Sequence, residues 1–247
     1  ILEAALAADN ILDAADKALL FKLVIKTIAK RSNLLASFMA KWHPELQGQS
    51  GHIHLSLRNN DLQAVFYDEK KPYSISKTMQ SFIAGLLELL PQWTVLFAPT
   101  VNSYTRLVPG YWAPTYASWG IDNRTCAIRV IPGSSSSQRI ECRVAGADSN
   151  PYLTLAATLA AGLYGIENNL KLDKPTTGNA YNQEAPPEKQ LPQSLQQAIE
   201  KFASSKHAHD YFGETFVNDF CASRQAEVIS AQKAVTDWEI KRYCELI

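Results

Sequence analysis

Cysteine is sparse and unpaired in this sequence. Cys126, Cys142, Cys221 and Cys244 stand singly, with no CxxC pair. That excludes a zinc ribbon and a disulfide scaffold, and it suits a reducing, cytoplasmic compartment. Net charge is lacking too. Twenty-four Lys and Arg balance twenty-four Asp and Glu, so no global field draws the chain to nucleic acid or an anionic membrane. No apolar run is long enough to span a bilayer. No secretory signal is legible and no internal repeat is visible. The sequon Asn123-Arg124-Thr125 is therefore read as coincidence. An initiating methionine is also missing. The chain opens Ile1-Leu2-Glu3-Ala4, as though already inside a structured element, and the expectation is a fragment.

What is present starts with size. At 247 residues and 46% hydrophobic, the chain can build a sizeable core as one large domain or two small ones. Gly51-His52-Ile53-His54-Leu55-Ser56-Leu57 alternates strictly. His52, His54 and Ser56 face one way, while Ile53, Leu55 and Leu57 face the other, the period of a strand. A turn at Arg58–Asp61 and a strand at Ala64–Tyr67 complete an expected hairpin. Residues 4–32 read as a helix with Asp9-Asn10 as its candidate break, Asn10 or Asp13 as cap, an apolar stripe at Phe21, Val24, Ile25 and Ile28, and a solvated face at Lys22, Lys26 and Lys30. Residues 75–96 read as a second helix, capped by Ser76 and mostly closed by Pro91. Val101–Pro114 reads as a long loop or flap. Thr125–Val130 and Arg139–Val144 read as strands, the first with Arg129 outward, the second with Arg139, Glu141 and Arg143 on one face. Helices are expected from Pro151 to about 170, over 193–204, and as one or two elements over 208–246. His207 and His209 are read as surface residues.

The chemistry-bearing groups are His52, His54 and Ser56 on one strand, Arg139, Glu141 and Arg143 on another, and Arg106, Arg124 and Arg129 nearby. Five arginines fall within residues 106–143, and arginine is suited to bidentate capture of phosphate and carboxylate. Histidine and glutamate suit manganese or magnesium. Metal, arginines and a flap together suit phosphoryl transfer, where charge neutralisation and positioning dominate. Singly, each has another reading. The HxH pair is equally compatible with other uses of a strand face, Glu141 between two arginines reads as a salt-bridge ladder, and Arg106 is compatible with anchoring its own loop to carbonyls.

Several segments, in this order, resemble the C-terminal part of the catalytic domain of the glutamine synthetase family. They are Gly51-His52-Ile53-His54-Leu55-Ser56, Asn102–Gly110, Asn123-Arg124-Thr125 to Arg129, Arg139-Ile140-Glu141-Cys142-Arg143 and Asn150-Pro151-Tyr152-Leu153. The ending, Val235 to Tyr243, resembles the branch that includes γ-glutamylpolyamine synthetases. The resemblance implies an α/β (α+β) fold, a curved, mainly antiparallel sheet backed by helices, truncated at the N-terminus. A β-grasp domain and the first half of the catalytic domain would be absent, leaving residues 1–247 a single unit. It implies an ATP-dependent ligase acting on glutamate and an amine, with Mg2+ or Mn2+, in a ring-shaped homo-oligomer, a dodecamer. By the same resemblance His52, Glu141 and Glu3 would be metal ligands. His54, Ser56, Arg124 and Arg139 would contact the nucleotide. Arg106 and Arg143 would grip glutamate, and Arg124 and Arg129 would act in catalysis by neutralising phosphate.

Two departures matter. Ammonia-using members carry a glutamate in the flap, whereas this flap reads Gly110-Tyr111-Trp112-Ala113-Pro114. Trp112 cannot attract a proton-bearing ammonium as a carboxylate does, but it can pack against a larger amine or meet it as a cation–π partner. The alternative is that Trp112 only stiffens the flap. The second departure is the missing upstream ligands, so the chain alone is expected to be inactive. Rival expectations are an ammonia-using glutamine synthetase, a non-catalytic scaffold protein of the same family, and a metallohydrolase built on the HxH pair.

Overall fold

A computed structural model of the chain describes residues 2–246. Residues 2–10 carry no helix or strand, so the expected element at Leu2–Ala4 is not found, and Ile1 lies outside the described residues. Helix α1 (Ile11–Arg31) starts where the break was expected. The Asn10 side chain accepts from the Asp13 amide at 3.1 Å, which satisfies one of the orphan donors of the first turn. The faces of α1 depart in part from expectation: Lys26 and Lys30 are solvated and Phe21 is half-buried as read, but Lys22 and the rest of the apolar stripe are not. Lys22 is half-buried and donates to the Ser149 carbonyl at 2.7 Å, and Lys22 and Lys26 flank the Phe38 ring. Val24, Ile25 and Ile28 are exposed.

Strand β1 (Ile53–Leu55) is shorter than its alternating run. Ala64–Tyr67 forms no strand, and the hairpin survives as the single bridge Arg58↔Ala64, while Tyr67 bridges onward to Ile75. Helix α2 (Lys77–Phe97) is capped by Ser76, which accepts from the Met79 amide at 3.0 Å. It ends within one residue of the expected bound and runs unbroken through Pro91, which closes none of it. An internal proline costs about 3 kcal/mol. Full burial of Trp93, Leu96 and Phe97, at about 1.5–3 kcal/mol for each large apolar side chain, outweighs it. The expected long flap begins as a helix, α3 (Val101–Arg106). Thr100 and Ser103 form a reciprocal capping box and both donate to Asp148 Oδ2, at 2.8 and 2.5 Å.

Strands β2 (Trp119–Ile121), β3 (Ile128–Ile131) and β4 (Arg139–Cys142) complete a four-stranded sheet in the order β1-β4-β3-β2. β1–β4 and β4–β3 are antiparallel and β2–β3 is parallel. The mainly antiparallel expectation holds, although β2 had no signal of its own. Helix α4 (Pro151–Glu167) begins at Asn150, whose side chain accepts from the Tyr152 amide at 3.0 Å, with Pro151 in the favoured first position. α5 (Leu195–Ala203), α6 (Lys206–Phe212), α7 (Glu214–Gln232) and α8 (Asp237–Tyr243) follow. The C-terminal stretch read as one or two helices is thus three, with Gly213 (φ +81) dividing α6 from α7. His207 and His209 are half-buried in α6, not free on the surface. The first lies against the Tyr164 ring, and Nε2 of the second is 2.9 Å from the Ala203 carbonyl.

The core joins Phe66, Phe82, Trp93 and Phe202 to Ile128, Val130 and Ile140. One face of the sheet is therefore sealed by apolar packing, and the opposite face is left for polar groups.

Candidate active site

The polar face is a cross-strand row. The register places His54 of β1 opposite Glu141 of β4, and Glu141 opposite Arg129 of β3. Residues directly opposite on neighbouring strands have Cβ atoms about 4.5–5.5 Å apart, so the row is an inevitable contact once the register is set. Period-2 alternation in β4 sends Ile140 and Cys142 into the core and Glu141 to this row.

Glu141 is 3% exposed and is surrounded by two guanidiniums and two imidazoles. Arg143 Nη1 donates to Oε1 at 2.7 Å and Arg129 Nη1 to Oε2 at 3.1 Å. His52 Nδ1 lies 3.0 Å from Oε1, and His54 Nε2 3.8 Å from it. Burial pushes the Glu141 pKa up, but the His52 hydrogen bond and the Arg143 and Arg129 charges reverse this and take it down to about 2. Burial holds both imidazoles below their ordinary pKa, against the pull of Glu141.

Neutral histidines have one protonated nitrogen each, and their contacts identify it. His52 Nδ1 faces a carboxylate and so carries the proton. Its Nε2 is then a buried lone pair, with no partner among the described residues. An orphaned imidazole nitrogen, oriented by a carboxylate through its other nitrogen, is the arrangement of a metal-binding histidine. His54 Nδ1 accepts from Arg139 Nε at 3.2 Å, so its proton is on Nε2, towards Glu141. The donor set at His52 and Glu141 fits a divalent cation such as Mn2+ or Mg2+. Among the described residues, however, no three His, Cys, Asp or Glu side chains come together as a metal group.

The structure thus assembles His52, His54, Arg129, Arg139, Glu141 and Arg143. Five other expected residues sit apart. Glu3 lies in the exposed irregular segment and is not gathered to Glu141. Ser56 is exposed just past β1. Arg106 is 2% exposed and donates to the Val144 and Arg143 carbonyls at 2.8 and 3.0 Å and to Ser50 Oγ at 2.9 Å, so its guanidinium holds the backbone from behind. Burial takes its pKa down to about 10. Arg124 and the half-exposed Trp112 border a cleft of about 680 Å³ on the β2 side.

Some neighbours had no reading in the sequence. Asp122 accepts from Arg129 Nε at 2.8 Å, tying the cleft to the Glu141 group. Tyr73 lines the same cleft. Tyr181 donates to the Ala113 carbonyl at 3.0 Å and Lys41 sits 3.9 Å over the Tyr111 ring, so both brace the loop that carries Trp112. Adjacency of Asp122 to Asn123-Arg124 was the available signal for the first. The rest depend on distant segments meeting.

Comparison with known proteins agrees with this architecture. Residues 2–243 match the family described as glutamine synthetase, catalytic domain. The chain is 45% identical to type-1 glutamine synthetase 2 of Dictyostelium discoideum, over all of this chain and 48% of that protein. It is 39% identical to a glutamate–isopropylamine ligase of a Pseudomonas species, over 97% of this chain and 52% of the relative. To the γ-glutamylputrescine synthetase of Escherichia coli K12 it is 38% identical, over 94% and 48%. The solved ADP complex of GmaS superposes with a TM-score of 0.86 at 32% identity, covering 96% of this chain and 55% of that one. The chain spans about half the length of the curated relatives it matches. With a catalytic-domain match across nearly its whole length and this identity to named synthetases and ligases, the chain belongs to the glutamine synthetase family.

Proposed function

We propose that the protein carrying this chain is an ATP-dependent carbon–nitrogen ligase that joins an amine larger than ammonia to the γ-carboxylate of glutamate. The observation that carries this reading is the Glu141 group, with its orphaned His52 Nε2 and converging arginines, placed beside a cleft with Trp112 at its border. In the reaction a γ-carboxylate oxygen attacks the γ-phosphorus of ATP and ADP leaves. The amine nitrogen then attacks the acyl carbon, phosphate leaves, and the nitrogen gives up a proton.

His52 and Glu141 would hold the divalent cation, Mg2+ or Mn2+, with further ligands supplied from outside the described residues. When bound, that cation withdraws charge from the transferring phosphoryl group. Arg129 and Arg124 would neutralise phosphate charge. His54 of β1, Ser56 just past it and Arg139 at the start of β4 would contact the nucleotide. Arg143 pairs the substrate carboxylate, and Arg106 positions it by gripping the carbonyls of Arg143 and Val144. Trp112 gives the acceptor an apolar wall where a carboxylate would favour ammonium. Two relatives named above carry isopropylamine and putrescine in their names, both larger than ammonia. Assembly into a ring-shaped homo-oligomer belongs to the same proposal.

The test is an amine panel with the full-length protein, glutamate, ATP and Mg2+ or Mn2+, reading phosphate release. Alkylamines are expected to exceed ammonia in kcat/KM by about tenfold or more. Ammonia as much the best acceptor would overturn the reading of Trp112.

A further inference from the structure

Asp148 sits in the connection between β4 and α4, and α3 is pinned to that connection at both ends. At the start of α3, Thr100 Oγ1 and Ser103 Oγ donate to Asp148 Oδ2 at 2.8 and 2.5 Å. At its end, Arg106 donates to the Arg143 and Val144 carbonyls at 3.0 and 2.8 Å. The same connection ties down the approach to β1. The Gly51 amide donates to the Ala145 carbonyl at 2.9 Å and the Ala147 amide to the Gln49 carbonyl at 3.0 Å, while Arg106 reaches Ser50 Oγ at 2.9 Å. Space is tight throughout. A methyl group on Gly48 would lie 2.6 Å from Arg106 Cγ, and one on Gly146 2.3 Å from Asp148 Oδ1.

The charges follow the same path. Burial takes the Arg106 pKa down, the Asp148 carboxylate is the strongest pull against that loss, and Arg143 opposes it as a like charge. The half-buried Lys22, which donates to the neighbouring Ser149 carbonyl at 2.7 Å, is likewise lowered by burial and supported by Asp148. Asp148 thus serves cations on two elements, α1 and α3. It does so against the interest of the fold. Its Oδ1 is buried and has no hydrogen-bond partner among the described residues, and a buried carboxylate oxygen without a donor disfavours folding. Proteins break such rules chiefly where function requires it.

We propose that Asp148 is a positioning residue of the glutamate subsite, acting through Arg106 on Arg143. The inference rests on the ligase reading, in which Arg143 pairs a substrate carboxylate, and deepens it. Glu141 offsets the Arg143 charge by direct hydrogen bond, and Asp148 offsets that of Arg106. With the Asp148 charge gone, the two guanidiniums repel each other in an interior where charges act more strongly than in water. Arg106 is bonded to the Arg143 carbonyl itself, so a shift of Arg106 passes to the backbone that aims Arg143. A misplacement of about 1 Å is enough to cost about 100-fold in rate. Arg139, bonded to His54, stands at the start of β4, the opposite end from Arg143, so the nucleotide contacts lie off this path.

The experiment uses the full-length protein with ATP, Mg2+, its best amine and varied glutamate, reading phosphate release. Asp148→Asn keeps an acceptor for both hydroxyls and removes the charge. It is expected to fold, to raise the KM for glutamate by about tenfold or more, and to leave the KM for ATP within about twofold. Ser103→Ala removes one hydrogen bond to Asp148 and leaves the charge, so its KM for glutamate should stay within about twofold of the parent's. An unchanged KM for glutamate in Asp148→Asn overturns the inference. So does an equal rise for ATP, an equal rise in Ser103→Ala, or failure of Asp148→Asn to fold, each the mark of a merely structural role. All of these leave the ligase reading standing. No turnover of any amine by the parent protein overturns both.

Discussion

At the scale of single residues, Glu141 decides the electrostatics of the site. It is one carboxylate among two guanidiniums and two imidazoles, buried on a sheet face. Removing it leaves Arg129 and Arg143 facing each other without their shared counter-ion. Glu141→Ala is therefore expected to destabilise the fold by about 3–5 kcal/mol, the usual result of breaking a buried pair from one side, measured by urea unfolding. Loss of less than about 1 kcal/mol would mean that the arginines find other partners. The pH dependence has a definite sign. The folded-state pKa of Glu141, about 2, lies below its ordinary 4.5, so its contribution is complete above the ordinary value and is lost as pH falls through the folded value. The residue types at this site were legible in the sequence because histidine, glutamate and arginine recur at period 2 along short strands. The role of Arg106 was not legible. Whether a guanidinium meets a ligand or a carbonyl depends on where Ser50 and Val144 lie, and those are 56 and 38 residues away.

At the scale of elements, α2 and α4 hold the sheet from behind, and they meet through glycine. A methyl group at Gly85 would collide with the Ala161 carbonyl and the Gly165 backbone, and one at Gly165 with the Ser81 carbonyl. Backbone cannot yield as a flexible side chain does. Gly85→Ala is expected to cost about 2 kcal/mol or more, at or above the upper range of ordinary overpacking. Thermal unfolding of that variant beside Gly178→Ala, whose added methyl meets nothing within 4 Å but whose φ of +73 strains any side chain, compares the collision with backbone strain alone. A smaller loss at Gly85 than at Gly178 would contradict the close-packing account. Helix starts at Asn10, Ser76 and Asn150 were readable because a cap is a contact within three residues. The extent of α2 past Pro91 was readable to within a residue from its apolar stripe, but the expectation that the proline closes most of it fails, since the burial that offsets its cost depends on apolar partners supplied from elsewhere in the chain.

At the scale of the whole molecule, the site and the surface tell the same story. His52 and Glu141 offer two metal donors, and the described residues gather no third. Leu20, Leu23, Val24 and Ile28 of α1 are exposed, and of Lys22, Lys26 and Lys30 only Lys22 is half-buried, donating to the Ser149 carbonyl. Among the described residues no helix is long and apolar enough to cross a membrane. We expect residues 1–247 alone to form no γ-glutamyl product from glutamate, amine and ATP, because two donors hold a catalytic divalent cation poorly. ATP-dependent product formation by the purified chain would refute this.

Family membership, the polar strand faces, the caps and the identity of the charged groups were determined by the sequence itself. Each is a matter of residue type at short spacing, and local geometry follows from local order. The parallel strand β2, the outward turn of the α1 stripe, the anchoring of Arg106, and the pairing of Asp122 with Arg129 were decided only in three dimensions. Each depends on which distant groups arrive within a few ångströms, and a charge or an apolar face takes its meaning from the neighbour that reaches it.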